Sequence, residues 1–256
     1  IRDQDGHNST DLPNTVFASS INRTSDVTVI NGVNCTITGN GIITQASGTL
    51  TNQPLPEEII LVDSGSTDNT LLIANSYDIK IHQIRKEEFT FGRALNIGCK
   101  LAQNQILIFL SAHVYPPHKD WLVNLLQPFE DELVVSTYGK QRGNQKTKFS
   151  ENRIFLSWFP EEVTNKRTKY FCNNANCAIR RSIWEKYPYD EDLTGLEDID
   201  WAKKQHLLGK KIVYVPESEI IHVHDENWMQ IRNRYRREAI ALKKIEPNIS
   251  MNFVNM

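Results

Sequence analysis

Several short stretches gather side chains able to do chemistry. Asp63-Ser64-Gly65-Ser66-Thr67-Asp68-Asn69 combines carboxylates, hydroxyls and backbone N–H groups, a set suited to a nucleotide's base, ribose or phosphates; it is also what an ordinary capped turn looks like. Ser111-Ala112-His113 abruptly ends the apolar run Ile106–Leu110, and a histidine there has three open readings: metal ligand, substrate contact or filler of a turn. Glu197-Asp198-Ile199-Asp200 supplies carboxylates for a general base, or charge compensation at a helix start. His222-Val223-His224 offers two more imidazoles, and Asn173, Asn174 and Asn176 suit sugar hydroxyls or a turn. Arg232, Arg234, Arg236 and Arg237 clamp a diphosphate, face an anionic membrane, or line a solvated helix face.

The elements that must position these groups follow from periodicity. Ile59–Val62 is a short buried strand running into the Asp63 turn, where Ser66 suits an N-cap and Asp68 a first helical turn. A strand at Ile79–His82, a helix from about Arg93 to Ala102, the strand Ile106–Leu110 and a helix at Trp121–Leu126 come next. This β-α-β-α-β-α alternation predicts a mainly parallel central sheet with helices on both faces, and ligands in such sheets bind at the strand ends. Beyond it lie a strand at Val134–Tyr138, a polar stretch over 139–170 relieved by Ile154–Phe159, and a short helix at Ser182–Tyr187. Then follow a helix at Glu197–Leu208 closed by Gly209, a strand at Ile212–Val215, and a helix over 228–245. On the Glu197 helix, Glu197 and Asp198 point to the side of Trp201 and Leu208, with Asp200 about a quarter turn or more away. In the last helix Trp228, Ile231, Tyr235, Ala239 and Leu242 form one stripe, with the arginines mostly off it.

The first 25 residues are polar and aperiodic and read as a tail or irregular cap. Val27–Ile30 reads as a strand. The Thr-, Ile- and Gly-rich segment after it is a distorted helix or short strands of the kind found in a β-solenoid rung; its position favours the helix. With 256 residues the chain can bury a sizeable core, and a net charge of −2 gives no general attraction to nucleic acid. No apolar run approaches the roughly 20 residues that span a bilayer. Four cysteines, Cys35, Cys99, Cys172 and Cys177, lack paired metal-ligand spacing, so a soluble protein in a reduced cytoplasmic setting is expected, with peripheral contact at the inner face of a membrane as a further expectation.

Taken in order, the motifs resemble those of the family 2 glycosyltransferases. Glu57–Asp68 is similar to the family's first nucleotide-binding segment, Phe91-Gly92-Arg93-Ala94-Leu95-Asn96-Ile97-Gly98 to its second signature, and Gly195–Trp201 to its Glu-Asp segment. His222-Val223-His224 before an arginine-bearing helix is similar to the family's C-terminal end. The resemblance covers about residues 57–238. It implies an α/β GT-A fold over 26–256, with a nucleotide-binding half (about 26–115) and an acceptor and catalytic half (about 116–256).

The implied activity is inverting transfer of a sugar from a nucleotide diphosphate sugar to a hydroxyl of a glycan or lipid-linked acceptor in surface polysaccharide synthesis. Asp198 is then the base and Glu197 its neighbour that orients it or touches the acceptor. The donor is expected at Asp63, Ser64, Ser66, Asp68, Arg93, Asn96, Ser111, Asn176, Arg234 and Arg237. Where this fold normally delivers an Asp-x-Asp-like metal motif, the chain has Ser111-Ala112-His113. Some GT-A enzymes use Asp-x-His with a later histidine, so His113, His222 and His224 are the expected ligands of Mn²⁺ or Mg²⁺. The rivals are a non-catalytic carbohydrate-binding or scaffold domain, and a sugar nucleotidylyltransferase, whose Gly-rich loop and following Pro-Lys are missing from the first strand.

Overall fold

The computed structural model describes residues 15–17, 27–32, 35–38, 42–45, 56–77, 79–163, 170–224 and 226–248. Three short strands come first: β1 (Thr15–Phe17), β3 (Cys35–Thr38) and β4 (Ile42–Gln45) form an antiparallel sheet in the order β1-β4-β3. Between β1 and β3 lies β2 (Val27–Gly32), which joins the main sheet instead. Part of the expected tail is therefore strand; its other residues lie outside the described ones. The segment after β2 holds β3 and β4 where a distorted helix was expected. The glycines Gly39, Gly41 and Gly48 and the Thr/Ile content account for this, since each glycine costs a helix about 1 kcal/mol relative to alanine.

Along the rest of the chain run β5 (Pro56–Asp63), α1 (Thr70–Ala74), β6 (Lys80–Gln83), α2 (Phe91–Leu101), β7 (Ile106–Leu110), β8 (Val114–Tyr115), α3 (Trp121–Leu126) and β9 (Val134–Arg142). They are followed by α4 (Phe149–Trp158), β10 (Asn176–Arg180), α5 (Arg181–Trp184), α6 (Glu197–Leu207), β11 (Lys211–His222) and α7 (Trp228–Ile245). The eight-stranded main sheet has the order β6-β5-β2-β7-β10-β9-β11-β8. The expectation of a mainly parallel sheet is corrected at the level of pairing: among the described residues only β5–β6 and β9–β11 are parallel neighbours. β2 lies antiparallel between β5 and β7, and β10 antiparallel between β7 and β9. A parallel neighbour needs a crossover of a dozen or more residues, normally helical, and the glycine-rich segment between β2 and β5 is a poor helix former.

The core on one side of the sheet gathers Ile60, Val62, Leu95, Phe109, Tyr138, Ile179 and Trp201; another cluster joins Ile108, Leu110, Trp121, Leu125 and Ile220. The central run Ile106–Leu110 is buried from Leu107 onward, as an uninterrupted apolar strand must be when both faces are covered. α7 departs from its expected stripe. Ala241 and Ile245 are its buried residues, whereas Trp228 is 74% exposed and Tyr235 is exposed as well. Leu208 is likewise exposed, and the inner side of α6 is filled by Trp201, Ala202 and Gln205 beside the two acids.

Candidate active site

Strand register builds the first half of the site. β5 and β7 both run antiparallel to β2, with Val62 opposite Val27 and Leu110 opposite Thr28. The Asp63 turn and Ser111 therefore leave the same end of the sheet, separated by two strand spacings, about 10 Å. Beyond Leu110 the chain turns into β8, whose Val114 pairs with His222 of β11; Val223 N donates to the His113 carbonyl at 3.0 Å. Because β9 runs parallel to β11 and Ile220 pairs with Gln141, Gln141 arrives beside His222.

Three imidazoles meet there. His222 Nε2 is 2.8 Å from His113 Nε2 and 2.7 Å from His224 Nε2. Phe155 of α4 stacks on the His222 ring at 5.8 Å. His224 Nδ1 sits 3.1 Å from Glu151 Oε1, within ion-pair range but off the line of a full hydrogen bond, and 3.5 Å from Glu226 Oε2. Arg234 spans the same two acids, at 3.0 Å from Glu151 and 2.9 Å from Glu226. Burial, then repulsion from His224 and His113, holds His222 well below the ordinary histidine range. For His224 burial pulls downward, and Glu151 and Glu226 outweigh it, so its net shift is upward.

The second half is the start of α6. Gly195 and Leu196 both have positive φ, at 156° and 59°, and a bulky residue in the left-handed region is the kind of local strain that clusters at functional sites. This bend drives Glu197 and Asp198 inward, to 7% and 8% exposure. Asp198 Oδ2 accepts from Asn174 N at 3.0 Å and Oδ1 from Ile199 N at 2.8 Å. Burial raises Asp198 to about 6 against the pull of these donors. Burial, reinforced by the Asp198 charge, raises Glu197 to about 8. Two adjacent acids thus separate, with Asp198 ionising first and Glu197 holding its proton, the division that acid–base chemistry exploits. Asp200 lies apart, paired with Lys204 at 2.6 Å.

A cleft of about 240 Å³ joins the two halves. Ser111, His113, His222, His224, Glu197, Asp198, Arg234 and Arg237 all line it, with Trp158, Tyr235 and Glu238 on its wall. Arg237 lies over the Phe91 ring, 5.4 Å from its centre. Arg234, expected to meet the donor, is held by Glu151 and Glu226.

The other expected donor residues do not line this cleft. Asp63, 1% exposed, spends its carboxylate on its own turn, accepting from Gly65 N at 3.0 Å, Ser66 N at 3.1 Å and the Ser66 hydroxyl. Ser66 is therefore not an N-cap; Asp68 serves α1 by accepting from Thr70 N at 2.9 Å. Ser64 is buried at the same turn, and the Arg93 guanidinium lies 4.0 Å from Glu88.

Asn96 and Asn176 have packing roles. Asn96 bonds the Tyr189 backbone on both sides, accepts from Trp184 Nε1 and donates to Glu191. One turn earlier on α2, a Cβ on Gly92 would stand 2.2 Å from the Asp190 carbonyl. The second signature thus clips α2 to residues 184–191. Asn176 accepts from Trp121 Nε1 and donates to the Ser218 carbonyl.

Glu151, Glu226, Gln141 and Glu238 were missed by sequence reasoning. Glu151 carried a usable signal, because Glu151, Ile154, Phe155 and Trp158 repeat at helical spacing and mark α4 inside the stretch read as polar. Gln141 and Glu226 carried none, since the site claims them only through the pairing of distant strands.

Residues 40–187 match the family described as "Glycosyl transferase family 2". The chain is 27% identical over 193 residues to the O-antigen chain rhamnosyltransferase RfbN of Salmonella typhimurium, covering 70% of this chain and 61% of that protein. It is 29% identical over 196 residues to the O-antigen chain rhamnosyltransferase WbaN of Salmonella anatum, covering 72% and 62%. The chain thus spans about three-fifths of the length of these relatives. Among solved structures it is similar to the mannosyltransferase PcManGT from Pyrobaculum calidifontis in complex with GDP-Man and Mn²⁺ (TM-score 0.54, 20% identity, 73% of this chain and 53% of that chain). It is also similar to glucosyl-3-phosphoglycerate synthase from Mycobacterium tuberculosis with Mn²⁺ and UDP-glucose (TM-score 0.54, 19% identity, 78% and 72%). With this match over more than half its length and this fold, the chain belongs to glycosyl transferase family 2 and has the GT-A fold.

Proposed function

We propose that the chain is an inverting glycosyltransferase that moves a sugar from a nucleotide diphosphate sugar to an acceptor hydroxyl in surface polysaccharide synthesis. The observation that carries this reading is a buried Asp198, raised to about 6, in the same cleft as three converging imidazoles. The donor's nucleotide runs along the sheet end from the Asp63 turn toward Ser111, and its diphosphate ends near the histidines. Asp198 takes the proton of the acceptor hydroxyl as that oxygen attacks the anomeric carbon from the face opposite the leaving diphosphate. Asn174 N and Ile199 N fix the carboxylate's direction, and a protonated Glu197 beside it is a donor for an acceptor or sugar hydroxyl.

His113, His222 and His224 fit a divalent cation, because each offers a ring nitrogen and these atoms all lie within 4.8 Å of one another. Such an ion, when bound, neutralises charge developing on the departing diphosphate. The relatives named for O-antigen chains favour a glycan or lipid-linked acceptor. None of the helices among the described residues is long and apolar enough to cross a membrane.

The test is a panel of nucleoside diphosphates in thermal shift, followed by transfer from the matching sugar donor. Stabilisation by one nucleotide with turnover that Asp198→Asn removes is the expected result. Indifference to every nucleotide would leave the carbohydrate-binding reading standing.

A further inference from the structure

We infer that the outward faces of α4 and α7 form one docking surface for an anionic phospholipid bilayer, with Phe149, Trp228 and Met229 entering the headgroup layer and Arg153, Arg232 and Arg236 meeting lipid phosphates. The surface stands on its own geometry; only its use, to hold the cleft against a lipid-linked acceptor, rests on the proposed function.

α4 and α7 lie side by side at their first turns. Arg234 of α7 meets Glu151 of α4 at 3.0 Å, and Lys148, just before α4, donates to the carbonyl of Glu226, just before α7. With these contacts facing inward, helical geometry dictates what faces out. On α7 the inner arc holds Arg234, Ala241 and Ile245, while Met229 and, at i+3, i+7 and i+11 from it, Arg232, Arg236 and Ile240 share the opposite side, all of them exposed. On α4, Glu151 and Phe155 are buried, and Phe149, Arg153 and Leu156 share the exposed side. Phe149 is 81% exposed, Met229 60%, and Trp228, which opens α7, 74%.

Charge selects the occupant. Among the described residues of α4 and α7 every exposed charge is positive: Arg153 on the first helix, and Arg232, Arg236, Arg237, Lys243 and Lys244 on the second. This holds in a chain whose net charge is −2, and the acids of these helices, Glu151 and Glu238, both line the cleft instead. A solvated helix face needs cations but has no use for an exposed tryptophan, phenylalanine and methionine between them, and a nucleic acid or acidic polysaccharide would be served by the cations alone. Aromatic and aliphatic side chains interleaved with arginines on an amphipathic face suit the boundary of an anionic bilayer, where the rings sit at headgroup depth and the cations at the phosphates. The cleft opens on the same side, because Trp158 at the end of α4 and Tyr235 of α7 are both exposed and both line it. A bilayer against α4 and α7 thus lies at the mouth of the site that holds Asp198.

The test is sedimentation of the full chain with phosphatidylcholine vesicles, with and without phosphatidylglycerol, and it needs no sugar donor. Binding is expected to need phosphatidylglycerol and to weaken as salt rises. Arg232→Gln with Arg236→Gln should weaken it about 10–30-fold, and Trp228→Ser with Met229→Ser about tenfold or more. All four side chains are exposed, so both double variants should keep the parent's circular dichroism and melting temperature. Leu207→Ser, at an exposed leucine on α6, should change nothing. No sedimentation with phosphatidylglycerol, equal binding to phosphatidylcholine alone, or binding that survives both double variants would each overturn the inference. So would retention on heparin without vesicle binding, which makes the face one for an anionic polymer, or a dimer that Trp228→Ser with Met229→Ser breaks and that ignores vesicles, which makes it a contact between copies. Vesicle binding through these residues in a chain that transfers no sugar supports the surface and counts against the transferase reading; transfer to a water-soluble glycan acceptor without vesicle binding does the reverse.

Discussion

Asp63 and Asp198 are the same residue type, both buried and both next to the end of a regular element, yet their surroundings make them opposites. Asp63 closes the β5 end by accepting from Gly65, Ser66 and the Ser66 hydroxyl, all of them donors that its own turn provides. Asp198 has two backbone donors but lies against Glu197, near Glu238, and in a wall containing Trp158, Leu95 and Phe159. Its ionised form is disfavoured rather than stabilised. The first arrangement contributes to folding. The second costs folding energy and holds a carboxylate ready to take a proton, a pattern typical of active sites.

The sharpest way to break this comparison is Asp198→Asn. Transfer should fall by about 10²–10⁴-fold with the fold retained, because the base is lost and the shape kept. The same change should stabilise the protein at pH 8. Burial raises the folded pKa from 3.8 to about 6, so the folded state keeps the proton longer and stability falls as pH rises through that window. Removing the charge recovers up to about 3 kcal/mol. Thermal melts of both proteins at pH 5 and pH 8 measure it, and a variant less stable than the parent at pH 8 would refute the picture of an electrostatically costly base.

The pH profile is the next test. With Asp198 as the base, kcat/KM should rise about tenfold per pH unit below about 6 and level off above it. A plateau already reached at pH 5 would point to a group other than Asp198. Asp63→Ala sharpens the contrast from the other side, since its turn loses its acceptors: urea unfolding should show a loss of about 2–3 kcal/mol. If Asp63 also touches the donor, nucleotide affinity falls as well; unchanged affinity confines it to the turn. The smallest effect belongs to Asp200→Asn, whose partner Lys204 is half exposed at i,i+4. A change of about 0.5 kcal/mol or less in stability, with transfer unaltered, is expected, and a large loss of transfer there would reassign the base within the acidic segment.

Local periodicity determined much of this molecule. The run Ile106–Leu110 and the helix at Trp121–Leu126 are legible from apolar spacing alone, since each element's length and burial follow from its own residues, and the extent of the helix over 228–245 is legible in the same way although its buried face is not. The acid segment is legible too, because an inward-facing acidic pair beside a buried tryptophan is a matter of helical angle. Tertiary structure decided the rest. The direction of β2 depends on what connects it to β5, and the exposed side of α7 depends on which face its neighbours cover. Asn96 and Asn176 have the chemistry of sugar-binding residues, yet backbone groups and the indole N–H groups of Trp184 and Trp121 occupy their side-chain amides. The Gln141–His222 contact joins residues 81 positions apart and His113–His222 joins residues 109 apart. A sequence supplies the residue types for such a cluster, but only the pairing of β8, β9 and β11 brings residues so far apart in the chain to within 3 Å of one another.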